Sequence, residues 1–196
     1  RIVALTFIVI LLTAANHLVL FVGAWTAMGW LLADLIGHVR GWPQARAASR
    51  FARWHFLASS ALVAGALGLL GVQAGTATID GVLAAVPSLS SFTVGLAALL
   101  LLGGAMIQSA LVPFHRWLLS SMTAPTPVSG FMHAGLVNAG GILLARFAPV
   151  AFELSWVMLA IVLAGGVSSL LGQAWILVQT DVKRQLGAST VAQMGF

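Results

Sequence analysis

The chain has 196 residues, of which 60% are hydrophobic and only 7% charged, with a formal net charge of +5 and no cysteine. A soluble domain carries roughly a quarter charged residues, so this composition excludes a water-facing globular fold; mean hydropathy is +1.04. The missing cysteines exclude a disulfide framework and a thiolate metal site. The basic residues are scattered between apolar runs and form no nucleic-acid patch.

The apolar runs are long: Ile2–Ala15, Leu18–Leu35, Phe56–Val72, Phe92–Ile107, Gly130–Leu144 and Leu154–Val178. A bilayer crossing by helix takes about 20 mostly apolar residues, and a barrel would show short alternating segments instead. The fold class read from the sequence is therefore all-α, a polytopic transmembrane helix bundle.

In chain order, Ile2–Ala15 predicts a short helix ended by Asn16-His17, and Leu18–His38 a second helix. Arg40–Arg53 reads as a basic, alanine-rich connector. Its arginines at 46, 50 and 53 recur at helical spacing, which makes either an interfacial basic stripe or a solvated loop. Trp54–Val72 is the third helix, and Gln73–Ser88 a loop whose only charge is Asp80. Leu89–Leu111 begins the fourth. Pro113 removes a backbone donor and kinks or breaks it, and His115-Arg116-Trp117-Leu118 continues to Met122. Ala124-Pro125-Thr126-Pro127 cannot stay regularly helical, because each proline also restricts the residue before it. The next helix carries Pro127 in its first turn and runs to about Arg146, with Pro149 beyond. Leu154–Val178 follows, and Gly165-Gly166 with Ser168-Ser169 gives it a small-residue face for close helix contact. Thr180-Asp181 reads as the N-cap of a last helix holding Lys183 and Arg184. The expectation is six to seven helices with one broken near Pro113–Pro127.

Three basic groups, Arg40–Arg53, Arg116 and Lys183-Arg184, fall on one side when crossings are counted from Leu18. The positive-inside rule makes that side cytoplasmic. No signal peptide is visible. The chain starts at Arg1 directly before an apolar run and stops at Phe196 within an expected helix, so residues 1–196 read as an internal part of one larger membrane subunit.

Ionisable residues inside a membrane need partners and mark pathways. A helix break there must satisfy its freed amides and carbonyls from protein or water, so the Pro113–Pro127 region is the natural place for an ion or proton route. A surface loop punctuated by proline is the alternative. His133 lies six residues after Pro127, about nine ångströms deeper at helical rise. Neutral imidazole both accepts and donates a proton, and its ordinary pKa is near neutrality. His133 suits a relay, against the plainer role of bonding a carbonyl across helices. Asn138 holds a water or caps a neighbour, with packing as its plainer role. Lys183 either snorkels to the surface or points inward as a switchable charge. Asp34 is expected to pair with Arg40 at the surface, and Glu153 to sit solvated beside Arg146. The Gly103-Gly104 and Gly140-Gly141 pairs fall within helices and form no phosphate loop, and His115 and His133 lack a third metal ligand at sensible spacing. No enzyme signature appears.

Ser109-Ala110-Leu111-Val112-Pro113-Phe114-His115-Arg116-Trp117-Leu118, Ala124-Pro125-Thr126-Pro127-Val128-Ser129 and His133-Ala134 together resemble the proton-translocating core of the antiporter-like family. That family holds the large membrane subunits of respiratory complex I and of multisubunit sodium/proton antiporters. Gln179-Thr180-Asp181-Val182-Lys183-Arg184-Gln185-Leu186 and Ser189-Thr190-Val191-Ala192-Gln193-Met194-Gly195 resemble its next motif. Two departures stand out. The family carries a glutamate where this chain has Thr26 after Trp25, and a lysine where it has Gln108. That pair is the usual charge switch, so ordinary antiport through this half is put in question.

His133-Ala134-Gly135-Leu136-Val137-Asn138-Ala139-Gly140-Gly141 followed by Arg146-Phe147-Ala148-Pro149 is similar to a narrower group, the DabB membrane subunits of the DAB inorganic-carbon accumulation systems. The resemblance implies a large, zinc-containing, carbonic-anhydrase-like soluble partner, with no cofactor in this chain. It implies cation flow that makes carbon dioxide hydration directional, in a bacterial inner membrane. The chain would be an energy-coupling subunit and not the hydrating enzyme. It also implies a proton path with His133 as relay, Lys183 as a modulating charge, His115 and Arg116 near the break, and Asn138 as water holder. A complex I or sodium/proton antiporter subunit is the alternative, and a structural module that has lost transport a third.

Overall fold

The computed structural model describes residues 1–39 and 41–196. Eleven α-helices run through the described residues, and no named strand joins them. They are α1 (Ile2–Ala14), α2 (Leu18–Ile36), α3 (Pro43–Ala74), α4 (Ile79–Ala85), α5 (Ser91–Gln108), α6 (Arg116–Ser120), α7 (Thr126–Ala134), α8 (Ala139–Arg146), α9 (Ala148–Phe152), α10 (Ser155–Val178) and α11 (Val182–Met194). Five stretches are long and apolar enough to cross a membrane: α2, α3, α5, α10 and the Thr126–Arg146 stretch holding α7 and α8. The protein is an all-α polytopic transmembrane bundle, with α3 packed between α2 and α5, and α11 laid along α10.

The first correction concerns the basic connector. Residues 43–53 are no loop; they are the first turns of α3, which runs unbroken for 32 residues, about 48 Å at helical rise. That exceeds the roughly 30 Å hydrocarbon core. Pro43 opens the helix where its missing N–H costs nothing, and alanine has the best helix propensity. Ala45, Ala48, Ser49 and Ala52 form a buried stripe, and Ser49 Oγ donates to the Ala33 carbonyl at 2.6 Å. Asp34 pairs with Arg53 at 2.7 Å; the expected partner, Arg40, lies outside the described residues. Gln73–Ser88 is likewise no plain loop. It contains α4, capped by Thr78, whose Oγ1 accepts from Gly81 N. Asn16 binds Asp80 there, its Nδ2 donating to Oδ2 at 2.7 Å.

The expected interruption between Pro113 and Pro127 is present, since α5 ends at Gln108 and only short helical pieces follow until Thr126. A second interruption was not expected. The helix that reads as continuous to Arg146 divides at Gly135, and a 3-10 turn over Leu136–Asn138 joins α7 to α8. No proline marks that break.

Glu153 is exposed, as expected. Arg146 is engaged elsewhere. Its guanidinium donates to the carbonyls of Thr13 and Ala15 and stands 5.8 Å from the Phe21 ring centroid. A cation at the carbonyl end of α1 complements the helix dipole.

Candidate functional site

The two interruptions meet. Ser109, at the end of α5, donates its hydroxyl to the Val137 carbonyl at 2.7 Å, and Gln108 Nε2 donates to the Leu136 carbonyl at 3.4 Å. Both acceptors belong to the turn between α7 and α8. Freed carbonyls inside a membrane must be satisfied from within the protein, and here the end of α5 supplies donors to the break between α7 and α8. Trp117 Nε1 on α6 donates back to the Ile107 carbonyl at 2.8 Å. Val112 N donates to Ser168 Oγ on α10 at 3.0 Å. Asn138 Nδ2 donates to the Ala134 carbonyl at 3.1 Å, closing the end of α7. Thr26 and Gln108 are both engaged in hydrogen bonds, the first within its own helix and the second across to the α7–α8 turn. Thr26 Oγ1 donates to the Val22 carbonyl at 2.8 Å, and Gln108 is 1% exposed.

Beside this crossing lies His133. Its ring is half-buried on α7, and Nδ1 sits 2.8 Å from Thr190 Oγ1 on α11. The Thr190 hydroxyl is 2.9 Å from the Leu186 carbonyl, one turn earlier, to which it donates. A hydroxyl has one proton. With that proton on Leu186, Thr190 can only accept from His133, which assigns the hydrogen to Nδ1. Nε2 then carries the free lone pair. It is buried and has no partner in the chain. Buried polar atoms without partners are rare enough to need an explanation.

Thr190 reaches His133 because α11 packs closely on α10. A Cβ at Gly172 would lie 2.6 Å from Ala192 N and 2.7 Å from its Cα, and Gly165 faces Gly195 in the same way. The expected small-residue face is real, and α11 is the helix it admits. Asp181 caps that helix, Oδ1 accepting from Arg184 N at 2.9 Å.

His115 occupies a second polar place, between α5 and α6. Its ring lies 4.5 Å from the Trp175 ring, centroid to centroid. It lines a cavity of about 480 Å³ with Ser120, Trp175, Gln179 and Arg184. Burial, and secondarily the neighbouring Arg116 charge, hold its pKa below the ordinary 6.5. Its Nδ1 is buried without a partner.

The structure therefore brings only some of the expected path residues together. His115 shares its cavity with Arg184, while Arg116 is exposed on α6. Lys183 is exposed too, its Nζ donating to the Met122 carbonyl at 3.3 Å. Asn138 lines a crevice against Thr6 and Thr13 of α1. Sequence reasoning missed Thr190 as the partner of His133. It also missed Gln108, Ser109 and Ser168 as the donors and acceptors that close the breaks. A signal did exist for Gln108, Ser109 and Ser168, polar residues in or at the end of apolar helices, but Thr190 sits in a polar helix and nothing local pairs positions 133 and 190. Among the described residues, no three His, Cys, Asp or Glu side chains converge.

The chain is 37% identical over 198 residues to a protein of Halothiobacillus neapolitanus called probable inorganic carbon transporter subunit DabB1, covering 96% of this chain and 35% of that protein. It is 36% identical over 188 residues to the NADH-quinone oxidoreductase subunit L of Mycobacterium tuberculosis, covering 95% of this chain and 30% of that one. The chain thus spans about a third of the length of these relatives. Its fold superposes with a TM-score of 0.88 on the Mrp complex from Dietzia sp., at 28% identity, covering 94% of this chain and 20% of that one. Residues 15–196 match the family described as NADH:quinone oxidoreductase/Mrp antiporter, TM. With that match running through both interruptions and the His133–Thr190 pair, the chain belongs to this antiporter-like membrane family.

Proposed function

We propose that this chain is part of a cation-conducting membrane subunit that supplies energy to inorganic-carbon uptake, with His133 as a proton relay. The observation that carries the relay is the unpartnered, buried Nε2 of a ring whose other nitrogen is held by Thr190. Such a ring has one free site, and a water or proton donor reaching it completes a hand-over. The cavity of His115 and Arg184 is a polar concavity on the side that carries the basic groups, which the charge bias makes cytoplasmic. Lys183 acts there as a surface charge next to the break, and Asn138 stabilises the end of α7.

The carbon-uptake reading rests on the relatives. Besides DabB1 of Halothiobacillus neapolitanus, the uncharged Thr26 and Gln108 favour it over ordinary antiport, because neither side chain can switch charge. Carbon dioxide hydration would then belong to a soluble, zinc-containing, carbonic-anhydrase-like subunit, and this subunit would sit in a bacterial inner membrane.

The test uses the full-length subunit expressed with its genomic partner in a host that needs high carbon dioxide. Growth in air is expected with the wild-type protein and is lost with His133→Ala. If His133→Ala and Lys183→Ala both restored growth like the wild type, the relay would be wrong. Rescue of a sodium-sensitive strain instead would assign the chain to antiport.

A further inference from the structure

At the basic end of the α2–α3 pair, away from His133, lies a concave pocket of about 450 Å³. Asp34 of α2 and Arg46, Ser49, Arg50 and Arg53 of α3 line it. The three arginines follow one another at four and three residues, so they share a helix face. Arg1, just before α1, lines it as well, so four arginine side chains against one carboxylate leave this wall at +3. Asp34 is committed to Arg53 at 2.7 Å. Arg53 is further fixed by the Trp30 ring, 4.4 Å from its Cζ, and its buried Nε has no partner in the chain. Arg46 and Arg50 are exposed, and neither forms an ion pair among the described residues.

Like charges gathered around a concavity repel unless an anion lies between them. Arginine's planar fork matches phosphate oxygens two at a time. The place in the fold selects the source of the phosphate. The pocket opens where two membrane-crossing stretches, Leu18–Ile36 and Pro43–Ala74, meet. Tryptophan collects at the membrane–water boundary, and Trp30, Trp42 and Trp54 on and beside these helices are exposed by 45, 43 and 73%. Cationic pockets between crossing helices at this level take lipid headgroups. We propose that this pocket binds the phosphate of an anionic phospholipid, with Arg46 and Arg50 as the clamp and Arg53 as a guanidinium fixed in advance by Asp34 and Trp30. The site requires only that the chain spans a membrane, and it stands or falls separately from the proton relay.

The test is native mass spectrometry of the full-length protein in the presence of phosphatidylglycerol or phosphatidylcholine. A melting measurement with each lipid and with inorganic phosphate accompanies it. The wild type is expected to retain phosphatidylglycerol roughly tenfold or more over phosphatidylcholine. It should melt higher with that lipid and be unmoved by millimolar phosphate. Arg46→Gln with Arg50→Gln should lose the preference, while the equal charge loss of Arg116→Gln with Arg184→Gln should keep it. Arg46→Lys with Arg50→Lys, which preserves charge and fold, should bind at an intermediate level because the fork is gone. Equal retention of phosphatidylglycerol by the glutamine pair and the wild type would overturn the proposal. So would stabilisation by inorganic phosphate alone. Loss of a soluble protein partner with lipid retention unchanged would also overturn it, and would make the pocket a protein-docking site.

Discussion

Thr190 Oγ1 lies 2.8 Å from His133 Nδ1 and spends its own proton on the Leu186 carbonyl, so a residue 57 positions away sets which imidazole nitrogen is free. Thr190 is a positioning residue in this account. Thr190→Val should slow coupled transport about three- to tenfold, the worth of one hydrogen bond of about 0.5–1.5 kcal/mol. Thr190→Ser should restore it. Both variants should melt close to the wild type, and the pH profile of transport should shift only for valine. Equal transport by all three proteins would show that the hydroxyl has no part in the relay.

The α10–α11 contact holds that pair together. Gly172→Val forces a side chain into the Ala192 backbone and should cost about 1–3 kcal/mol of stability, with transport falling as Thr190 moves from His133. Gly166 has nothing within 4 Å of where a Cβ would go, so Gly166→Ala should be silent. Thermal melting in lipid nanodiscs and transport assays on the same samples decide this; an active, stable Gly172→Val protein would contradict the packing.

Arg146 closes the carbonyl end of α1 with two charge-assisted hydrogen bonds. Arg146→Met keeps much of the length and apolar stem but leaves those carbonyls without their donor. The expected loss is about 2–3 kcal/mol, with hydrogen exchange rising first in α1. A melting temperature equal to the wild type would mean the carbonyls find other donors.

The His115 ring predicts a pH dependence. Burial, then Arg116, lowers its pKa in the folded protein below the ordinary 6.5. Just below that value the unfolded chain binds a proton that the folded chain does not, so stability rises with pH there. It is fully present above 6.5 and is lost as pH falls toward the lowered folded value. Melting between about pH 5 and pH 7.5 should show this slope in the wild type and a smaller one in His115→Gln. An unchanged slope would place the titration elsewhere.

Much of the architecture was legible along the chain. Apolar run length identified the crossing helices, because only helices satisfy their own backbone in lipid. Asp181 read correctly as a cap, since capping is settled within three residues. Gly165 and Ser168 marked a contact face, because small side chains at helical spacing admit a neighbour's backbone. The basic connector was misread because three arginines obscured a buried stripe of Ala45, Ala48 and Ala52 that faces α2. The break at Gly135 was not legible at all. It persists because Gln108 and Ser109, from another helix, satisfy the carbonyls it frees.

By itself, then, the sequence determined that this protein lives in a bilayer as helices, which side of it is basic, and that an imidazole is carried into the span. Those are properties of composition and local periodicity. Only the tertiary structure decided which polar atoms meet: Thr190 with His133, Ser109 with Val137, Arg53 with Asp34. Such pairs join residues 19 to 57 positions apart, and no local pattern encodes them. They are fixed by how the helices pack, which brings donors on one helix to carbonyls and ring nitrogens on another.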